Sequence, residues 1–168
     1  MRNLYIDFDG VIMNTIEITY QDMIDKNINQ DNQKEVRDYY KNLDWIELLK
    51  KSKVINDGIK CMNKIIESER FEVSILTHVN SLHEATEKIK FIRKYFKGIT
   101  IIPVPRELSK TEMVHVQDSI LIDDYAGNLE EWQEKGGIAI RFSEKMHGKG
   151  FIVIDKLDKI LDIIWLII

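Results

Sequence analysis

The regular alternation of apolar and amphipathic segments most constrains the fold of this chain. From residue 54 onward, short continuous apolar runs are separated by stretches in which apolar side chains recur every three or four residues. Strands that are apolar along their whole length are buried on both faces of a sheet, with helices supplying the cover. We therefore predict an α/β fold built on a parallel sheet. After a first strand near the amino terminus, the predicted strands are 71–77, 98–104, 119–124, 137–142 and 151–154.

The segment between the first strand and residue 54 has a different character. Residues 14 to 52 contain neither glycine nor proline and carry many charges at helical spacing. We predict three short helices, the first with Ile16, Tyr20, Met23 and Ile24 on its buried face. Asp31 and Asp44 are the predicted caps of the second and third helices, and Asp155 that of the last helix of the chain. Short polar helices of this kind suit an insertion that covers another part of the molecule.

Length and composition limit the class of protein. The 168 residues fit one domain with a small insertion, and the net charge of −4 argues against a nucleic-acid polymer as partner. The single cysteine, Cys61, excludes a disulfide framework within one chain. We expect a cytoplasmic protein without a membrane segment, because no signal-peptide pattern is present. The apolar stretch 163–168 is interpreted as the end of a docked helix, with a dimer or membrane-surface contact as the alternative.

Polar side chains follow several predicted strands at the point where each strand ends. Asp7 and Asp9 end the first apolar run, Thr77 and His78 end the 71–77 strand, and the 119–124 strand finishes in two acids. Ligands of open parallel sheets bind beyond the carboxyl ends of the strands, so these side chains are expected to meet at one edge. Lys110 lies in the loop after the 98–104 strand and joins the same set.

These residue types predict phosphate chemistry. Carboxylates without a histidine cluster favour a hard cation with oxygen ligands, and we predict Mg²⁺ held by Asp7, Asp9, Asp123 and Asp124. Asp7 is the candidate nucleophile, and Asp9 the candidate proton donor and acceptor. Thr77 and Lys110 would bind phosphate oxygens. Each of these residues, taken alone, has a structural alternative. Asp7 and Asp9 could belong to an exposed Asp-Gly turn after the first strand, Lys110 could be a solvated lysine, and His78 could be structural.

In these residues and their order along the sequence, the chain resembles the haloacid dehalogenase (HAD) superfamily. The four motifs occur in order: Asp-Phe-Asp-Gly-Val from Asp7, Ser-Ile-Leu-Thr ending at Thr77, the loop lysine Lys110, and Ile-Leu-Ile-Asp-Asp ending at Asp124. The resemblance implies a Rossmann-like doubly wound core, residues 1–12 and 54–168, with a small helical cap, residues 13–53, inserted after the first strand. It also implies phosphatase rather than dehalogenase chemistry, because the dehalogenase branch lacks the second aspartate.

A closer similarity is to the small 5′(3′)-deoxyribonucleotidases. Their pattern also joins Asp-x-Asp-Gly-Val, a short helical cap and Ile-Asp-Asp, and the stretch beginning at Asp44-Trp45 resembles the end of that cap. Three departures concern nucleobase recognition and leave phosphatase chemistry intact. Thr15 replaces an expected aromatic residue, Asn56 an expected proline, and His78 an expected small residue.

The resulting expectation is a Mg²⁺-dependent phosphomonoester hydrolase with an aspartyl-phosphate intermediate. Its substrate would be a small phosphorylated metabolite, with nucleoside monophosphates first and sugar phosphates as the alternative. The candidate substrate contacts are Thr77, His78, Lys110, Tyr40 and Trp45, although most of the cap aromatics are expected to form the cap's own core. A catalytically silent phosphate-binding protein is the rival of a different class. Monomer and homodimer both remain open.

Overall fold

The computed structural model describes residues 1–167 and contains a six-stranded parallel sheet in the order β3-β2-β1-β4-β5-β6. This arrangement confirms the predicted Rossmann-like α/β fold. The strands are β1 (Arg2–Ile6), β2 (Phe71–Val79), β3 (Thr100–Pro105), β4 (Ile120–Asp123), β5 (Ile138–Phe142) and β6 (Ile152–Ile154).

Helices connect consecutive strands from β1 to β5 and cover both faces of the sheet. They are α1 (Thr15–Asp25), α2 (Gln33–Asn42), α3 (Trp45–Lys51), α4 (Gly58–Glu67), α5 (Leu82–Tyr95), α6 (Lys110–Met113), α7 (Ala126–Glu134) and α8 (Ile160–Ile167), with a 3₁₀ turn over Leu157–Lys159. None of these helices combines the length and the apolar character that crossing a membrane requires.

The buried core is divided by the sheet into two clusters. Leu4 and Ile6 of β1 face the cluster that includes side chains of α4, α5 and α8, whereas Tyr5 faces the cluster under α7. Tyr5 packs edge-on against Trp132, with 5.5 Å between ring centroids. Because successive side chains of a strand point to opposite faces, the part of β1 that is buried on both faces, Leu4 to Ile6, is apolar at each position.

The turn after β1 brings the chain out of the sheet at its carboxyl edge. The strand ends at Ile6, earlier than the apolar run does, and the Asp7 N–H donates to the Ile122 carbonyl over 3.0 Å. The Phe8 carbonyl accepts hydrogen bonds from the N–H groups of Ile12 and Met13. Phe8, Ile12 and Met13 are buried although they are not part of a strand. The apolar run therefore continues as a buried turn that leads into the cap.

Residues 13–53, called the cap segment here, contain α1, α2 and α3. Its two ends lie side by side: the Asn14 N–H donates to the Lys53 carbonyl over 3.0 Å, and the Lys53 N–H donates to Asn14 Oδ1 over 2.6 Å. Asp44 caps α3 as predicted, since its carboxylate accepts from the N–H groups of Ile46 and Glu47.

The predicted buried face of the first helix is wrong at three of its four residues and confirmed only at Met23. Ile16, Tyr20 and Ile24 of α1 are 46%, 54% and 45% exposed, while Thr15, Thr19 and Met23 are buried. The reason is that α1 lies over the polar edge of the sheet rather than over an apolar surface. Hydroxyl side chains can form hydrogen bonds there, whereas a row of isoleucines would leave the groups beneath it without partners.

Two predicted helix caps are also wrong. The cap of α2 is Asn32 rather than Asp31, and its side chain accepts from the N–H groups of Lys34 and Glu35. The 3₁₀ turn before α8 begins after Lys156, so Asp155 does not cap it. At the end of the chain, α8 docks through Ile160 and Ile164, while Trp165 and Leu166 are largely exposed. Ile168, the last residue of the apolar stretch 163–168, lies outside the described residues.

Candidate active site

The strand ends bring the motif residues together at one edge of the sheet. Asp7 follows β1, Thr77 lies near the end of β2, and Asp123 is the last residue of β4. Because β1 is hydrogen-bonded to both β2 and β4, these three side chains come from adjacent strands. Lys110, the first residue of α6, reaches the same place and is only 2% exposed.

Three carboxylates form a compact acidic group. One oxygen each from Asp7, Asp123 and Asp124 lies within 4.8 Å of the other two. Lys110 is inserted beside two of them, with its Nζ 3.0 Å from Asp7 Oδ1 and 2.6 Å from Asp123 Oδ2. The group thus contains three acids and one cation, so it carries excess negative charge when all three acids are ionised.

Asp123 and Asp124 differ in how they are held. Asp123 is fully buried, and its oxygens accept from the Tyr125 N–H and the Asn128 side-chain amide, each over 2.9 Å, besides Lys110. The Asp124 carboxylate has no hydrogen-bond donor among residues 1–167. Asp123 is consequently fixed by the protein, whereas Asp124 keeps its oxygens available to a ligand.

Burial and mutual repulsion raise two of the pKa values in this group. Burial raises the pKa of Asp7 to about 7 in spite of the nearby Lys110 ammonium. Burial, followed by the charges of Asp7 and Asp123, raises the pKa of Asp124 to about 8. A divalent cation between the three carboxylates would remove this penalty, and an all-oxygen donor set suits Mg²⁺. The residues present therefore fit the predicted metal.

Asp9 belongs to a separate network and its carboxylate is not part of the acidic group. Thr15 Oγ1, at the start of α1, donates to Asp9 Oδ1 over 2.6 Å, and Thr77 Oγ1 lies 3.4 Å from Oδ2. The ammonium of Lys88 forms an ion pair with Asp9 Oδ2. The Asp9 side chain, predicted among the metal ligands, is thus held by Thr15, Thr77 and Lys88 instead of joining the acidic group.

Lys88 is the residue of this site that sequence reasoning missed. It lies on α5, is 1% exposed, and pairs with Glu84 over 2.7 Å as well as with Asp9. Its Nζ also donates to the His78 carbonyl over 2.9 Å and lies 3.2 Å from Thr77 Oγ1. Burial would lower the pKa of Lys88, but the charges of Asp9 and Glu84 outweigh it and raise that pKa. One signal was available, because positions 84 and 88 share a helical face with the apolar Ala85 and Ile92.

The predicted substrate contacts fall into two groups. A cavity of about 570 Å³ between the cap segment and the core is lined by residues including Asp9, Tyr40, Trp45 and His78. Thr77 and Lys110 are almost fully buried and do not line it. The structure therefore brings Tyr40, Trp45 and His78 to the cavity wall. Of the other two predicted contacts, Thr77 lies beside Asp9 and Lys110 lies within the acidic group.

The cap aromatics are less free to stack on a ligand than their number suggests. Trp45 is 2% exposed, and the Lys88 ammonium lies 4.5 Å from the centroid of its ring. Tyr39 donates its hydroxyl to Asp22 over 2.8 Å inside the cap segment. Tyr40 remains at the cavity, with its hydroxyl 3.3 Å from Thr19 Oγ1. Tyr39 and Trp45 accordingly have packing roles, whereas Tyr40 lies at the cavity and Tyr20 is 54% exposed.

His78 lies at the junction of the core and the cavity. Its Nε2 is 2.9 Å from the Leu108 carbonyl, so this bond requires Nε2 to carry the proton. Burial, joined by the charges of Lys110 and Arg106, lowers the pKa of His78. A neutral ring with its proton on Nε2 is the form that this environment favours.

No family model and no curated protein matches this chain in sequence. Several solved structures share its fold. A HAD phosphatase from Thermococcus onnurineus is 15% identical, with a TM-score of 0.64 over 98% of each chain. A HAD-superfamily hydrolase of subfamily IA, variant 1, from Geobacter sulfurreducens is 12% identical, with a TM-score of 0.64 over 97% of this chain and 99% of that one. A hydrolase from Pseudomonas syringae is 11% identical, with a TM-score of 0.61 over the whole of both chains. The chain has the fold of HAD-superfamily hydrolases, which confirms the predicted resemblance at the level of the fold.

Proposed function

We propose that this chain is a Mg²⁺-dependent phosphomonoester hydrolase that forms an aspartyl-phosphate at Asp7. The observation that carries the proposal is the position of Asp7, whose carboxylate lies beside Lys110 and within the acidic group at the sheet edge. The superfamily fold supports the same chemistry. Two more carboxylates, Asp123 and Asp124, would hold Mg²⁺, which supplies positive charge for phosphate oxygens when bound.

Two steps follow from the roles of Asp7 and Asp9. The Asp7 carboxylate attacks phosphorus while the bond from phosphorus to the ester oxygen breaks, and Asp9, which must enter this step in its protonated form, gives that proton to the leaving alcohol. A water that gives its proton to Asp9 then attacks phosphorus, which releases inorganic phosphate and restores the Asp7 carboxylate. Lys110 keeps Asp7 oriented and offsets phosphate charge throughout. Thr77 and Lys88 hold Asp9 in place between turnovers.

The cavity supports a small metabolite as substrate. Its volume of about 570 Å³ falls in the usual range for sites that bind small molecules. Nucleoside monophosphates are the first candidate class, with Tyr40 at the wall as the aromatic contact. A second class is favoured by the amide side chains of Gln30, Gln33 and Asn80, which also line the cavity and suit the hydroxyls of a sugar phosphate.

Phosphate release from a panel of phosphate esters, with and without Mg²⁺, tests this proposal. We expect Mg²⁺-dependent release, and we expect Asp7→Asn to abolish it because an amide cannot form the phosphoryl-enzyme. Asp38→Asn, at an exposed position of α2, is the matched control and should keep full activity. Unchanged turnover in a folded Asp7→Asn variant would remove Asp7 as nucleophile. Failure of the whole panel would favour a silent binding protein, and a best rate on sugar phosphates would remove the nucleotidase assignment.

A further inference from the structure

Two arginines line the cavity. Arg37 comes from α2 in the cap segment, and Arg106 follows β3 in the core. Both side chains are exposed, and neither guanidinium forms an ion pair or a hydrogen bond with another of residues 1–167. A guanidinium presents a planar set of donors that matches phosphate and carboxylate oxygens. The cavity therefore contains two such donor groups that the rest of the chain leaves uncommitted.

The position of each arginine aims it at the cavity. Gln33, Val36, Arg37 and Tyr40 all line the cavity and recur at the spacing of one helical face, so Arg37 belongs to the side of α2 that faces the ligand space. Arg106 lies close enough to His78 for its charge to contribute, after burial and Lys110, to lowering the pKa of that ring.

The proposed chemistry does not use these charges. Asp9 and Glu84, two acids at the cavity wall, share the Lys88 ammonium. The charge of the phosphate that is hydrolysed would be offset by Lys110 and by the metal beside Asp7. Glu107 is the one other acid among the lining residues, so the two arginines outnumber it. A simple monoester offers these two arginines no second anionic group.

We propose that the physiological substrate carries a second anionic group, which Arg37 and Arg106 bind while the ester phosphate lies at Asp7. This inference rests on the proposed phosphatase function and narrows its substrate class. Among nucleotides it selects those with a second phosphate, and among sugar phosphates it selects bisphosphates or phosphorylated acids. Because one arginine belongs to the cap segment and the other to the core, the second anion also bridges the two.

Matched pairs of substrates test the proposal. Adenosine 5′-monophosphate is compared with adenosine 3′,5′-bisphosphate, and glucose 6-phosphate with 6-phosphogluconate, at equal ionic strength with Mg²⁺. We expect a higher kcat/KM for the member with the second anion in at least one pair. A preference in the first pair alone identifies a second phosphate, in the second pair alone a carboxylate, and in both pairs the shared anionic chemistry. Equal kcat/KM within both pairs would overturn the inference.

Substitution of the arginines assigns the preference to them. Arg37→Gln and Arg106→Gln should each reduce kcat/KM for the doubly anionic substrate about three- to tenfold, mainly through a higher KM. The kcat/KM of the singly anionic substrate of the same pair should change little. Lys34→Gln removes the same charge from an exposed position on α2 that does not line the cavity, and should leave the advantage intact. An equal loss on both members of a pair would mean that the arginines serve the ester phosphate, which contradicts the proposal.

Binding separates this inference from the proposed function. Titration calorimetry of each pair with the Asp7→Asn variant measures affinity without turnover. If no ester is hydrolysed but the bisphosphate or the phosphorylated acid binds in an arginine-dependent manner, the phosphatase proposal fails and the second anion site stands. If hydrolysis proceeds and neither binding nor kcat/KM depends on the second anion, the site proposal fails alone.

Discussion

Lys88 is a buried cation shared by two acids, and it links three parts of the molecule. It pairs with Asp9 from the first motif and with Glu84 of its own helix, and it lies against the Trp45 ring of the cap segment. A buried charge is tolerated only when it is paired and hydrogen-bonded. Lys88, Asp9 and Glu84 must therefore be considered as one unit, because the loss of Lys88 leaves the two acids without their cation.

We predict that Lys88→Met destabilises the protein by about 3–5 kcal/mol, the usual cost of removing one partner from a buried ion pair. Urea unfolding measures the change. Lys90→Met, on the same helix but in an exposed pair with Glu87, is the control and should cost less than about 1 kcal/mol. The double variant Glu84→Gln/Lys88→Met should be more stable than Lys88→Met alone, because one uncompensated acid is gone. Equal costs for the two lysine variants would show that the buried pairs contribute nothing.

Prediction from sequence worked for residues whose type and spacing identify them. Asp7, Lys110 and the acids at 123 and 124 come after predicted strands, a pattern typical of a site at the carboxyl edge of a parallel sheet, and in the structure they lie at that edge. Lys88 could not be recognised in the same way, because a lysine on a helix is usually solvated. Its burial depends on Asp9, 79 residues away in sequence, which no local pattern shows.

At the level of elements, the turn between β1 and α1 connects the sheet to the cap and shapes the acidic group. Gly10 in this turn has a φ of +72°, and a Cβ atom at this position would overlap the carboxylate of Asp124. Glycine is required here for both reasons, since other residues avoid this backbone region and none has a smaller side chain. The Asp-x-Asp-Gly motif thus links the conformation of the turn to the position of a candidate metal ligand.

Gly10→Ala should lower stability by about 1 kcal/mol or more and weaken Mg²⁺ binding by displacing Asp124. Calorimetric titration with Mg²⁺ and thermal unfolding measure the two effects. Gly98→Ala is the control, because a Cβ at that position would have no neighbour within 4 Å. Mg²⁺ affinity equal to that of the unaltered protein would show that Asp124 can move aside without consequence.

The strands and helices of the core could be predicted from the sequence, whereas the buried face of α1 in the cap segment could not. The core strands and helices alternate in a way that apolar periodicity describes directly. The orientation of α1 follows a different rule, since Thr15 is buried to satisfy Asp9 and the more apolar Ile16 is left at 46% exposure. A hydrophobic pattern identifies the buried face only where the surface beneath is apolar.

For the whole molecule, the fold concentrates charge at one edge of the sheet, and stability should depend on pH and metal together. The pKa values of Asp7 and Asp124 are raised to about 7 and about 8 from an ordinary 3.8. Between these values the folded protein keeps protons on both carboxyl groups, whereas the unfolded chain has released them. Their contribution to stability is complete below about pH 4 and is lost as the pH rises through 7 and 8.

The melting temperature of the metal-free protein should therefore fall between pH 5.5 and 8.5. Added Mg²⁺ should raise it more at pH 8.5 than at pH 5.5, because the metal competes with protons for the same carboxylates. Asp124→Asn should flatten the pH dependence. A metal-free melting temperature that is constant over this interval, in the unaltered protein, would contradict the assigned pKa shifts.

Global topology was predictable in class and not in detail. Apolar strands alternating with amphipathic helices require a parallel sheet covered on both faces, but several strand orders satisfy that pattern. The order β3-β2-β1-β4-β5-β6 places β1 centrally, between the strands that carry Thr77 and Asp123. The cavity and its arginines depend on how the cap segment lies over this edge, which is a tertiary arrangement without a sequence signature.

The central claim is that Asp7 becomes phosphorylated during turnover. Rapid mixing with a hydrolysed substrate and Mg²⁺, acid quenching and peptide mass spectrometry test it most directly. We predict one phosphoryl group on the peptide that contains Asp7, present during turnover, gone once substrate is consumed, and absent from the Asp7→Asn variant. Phosphate release at full rate with no phosphoryl group on Asp7 at any time point would contradict the claim.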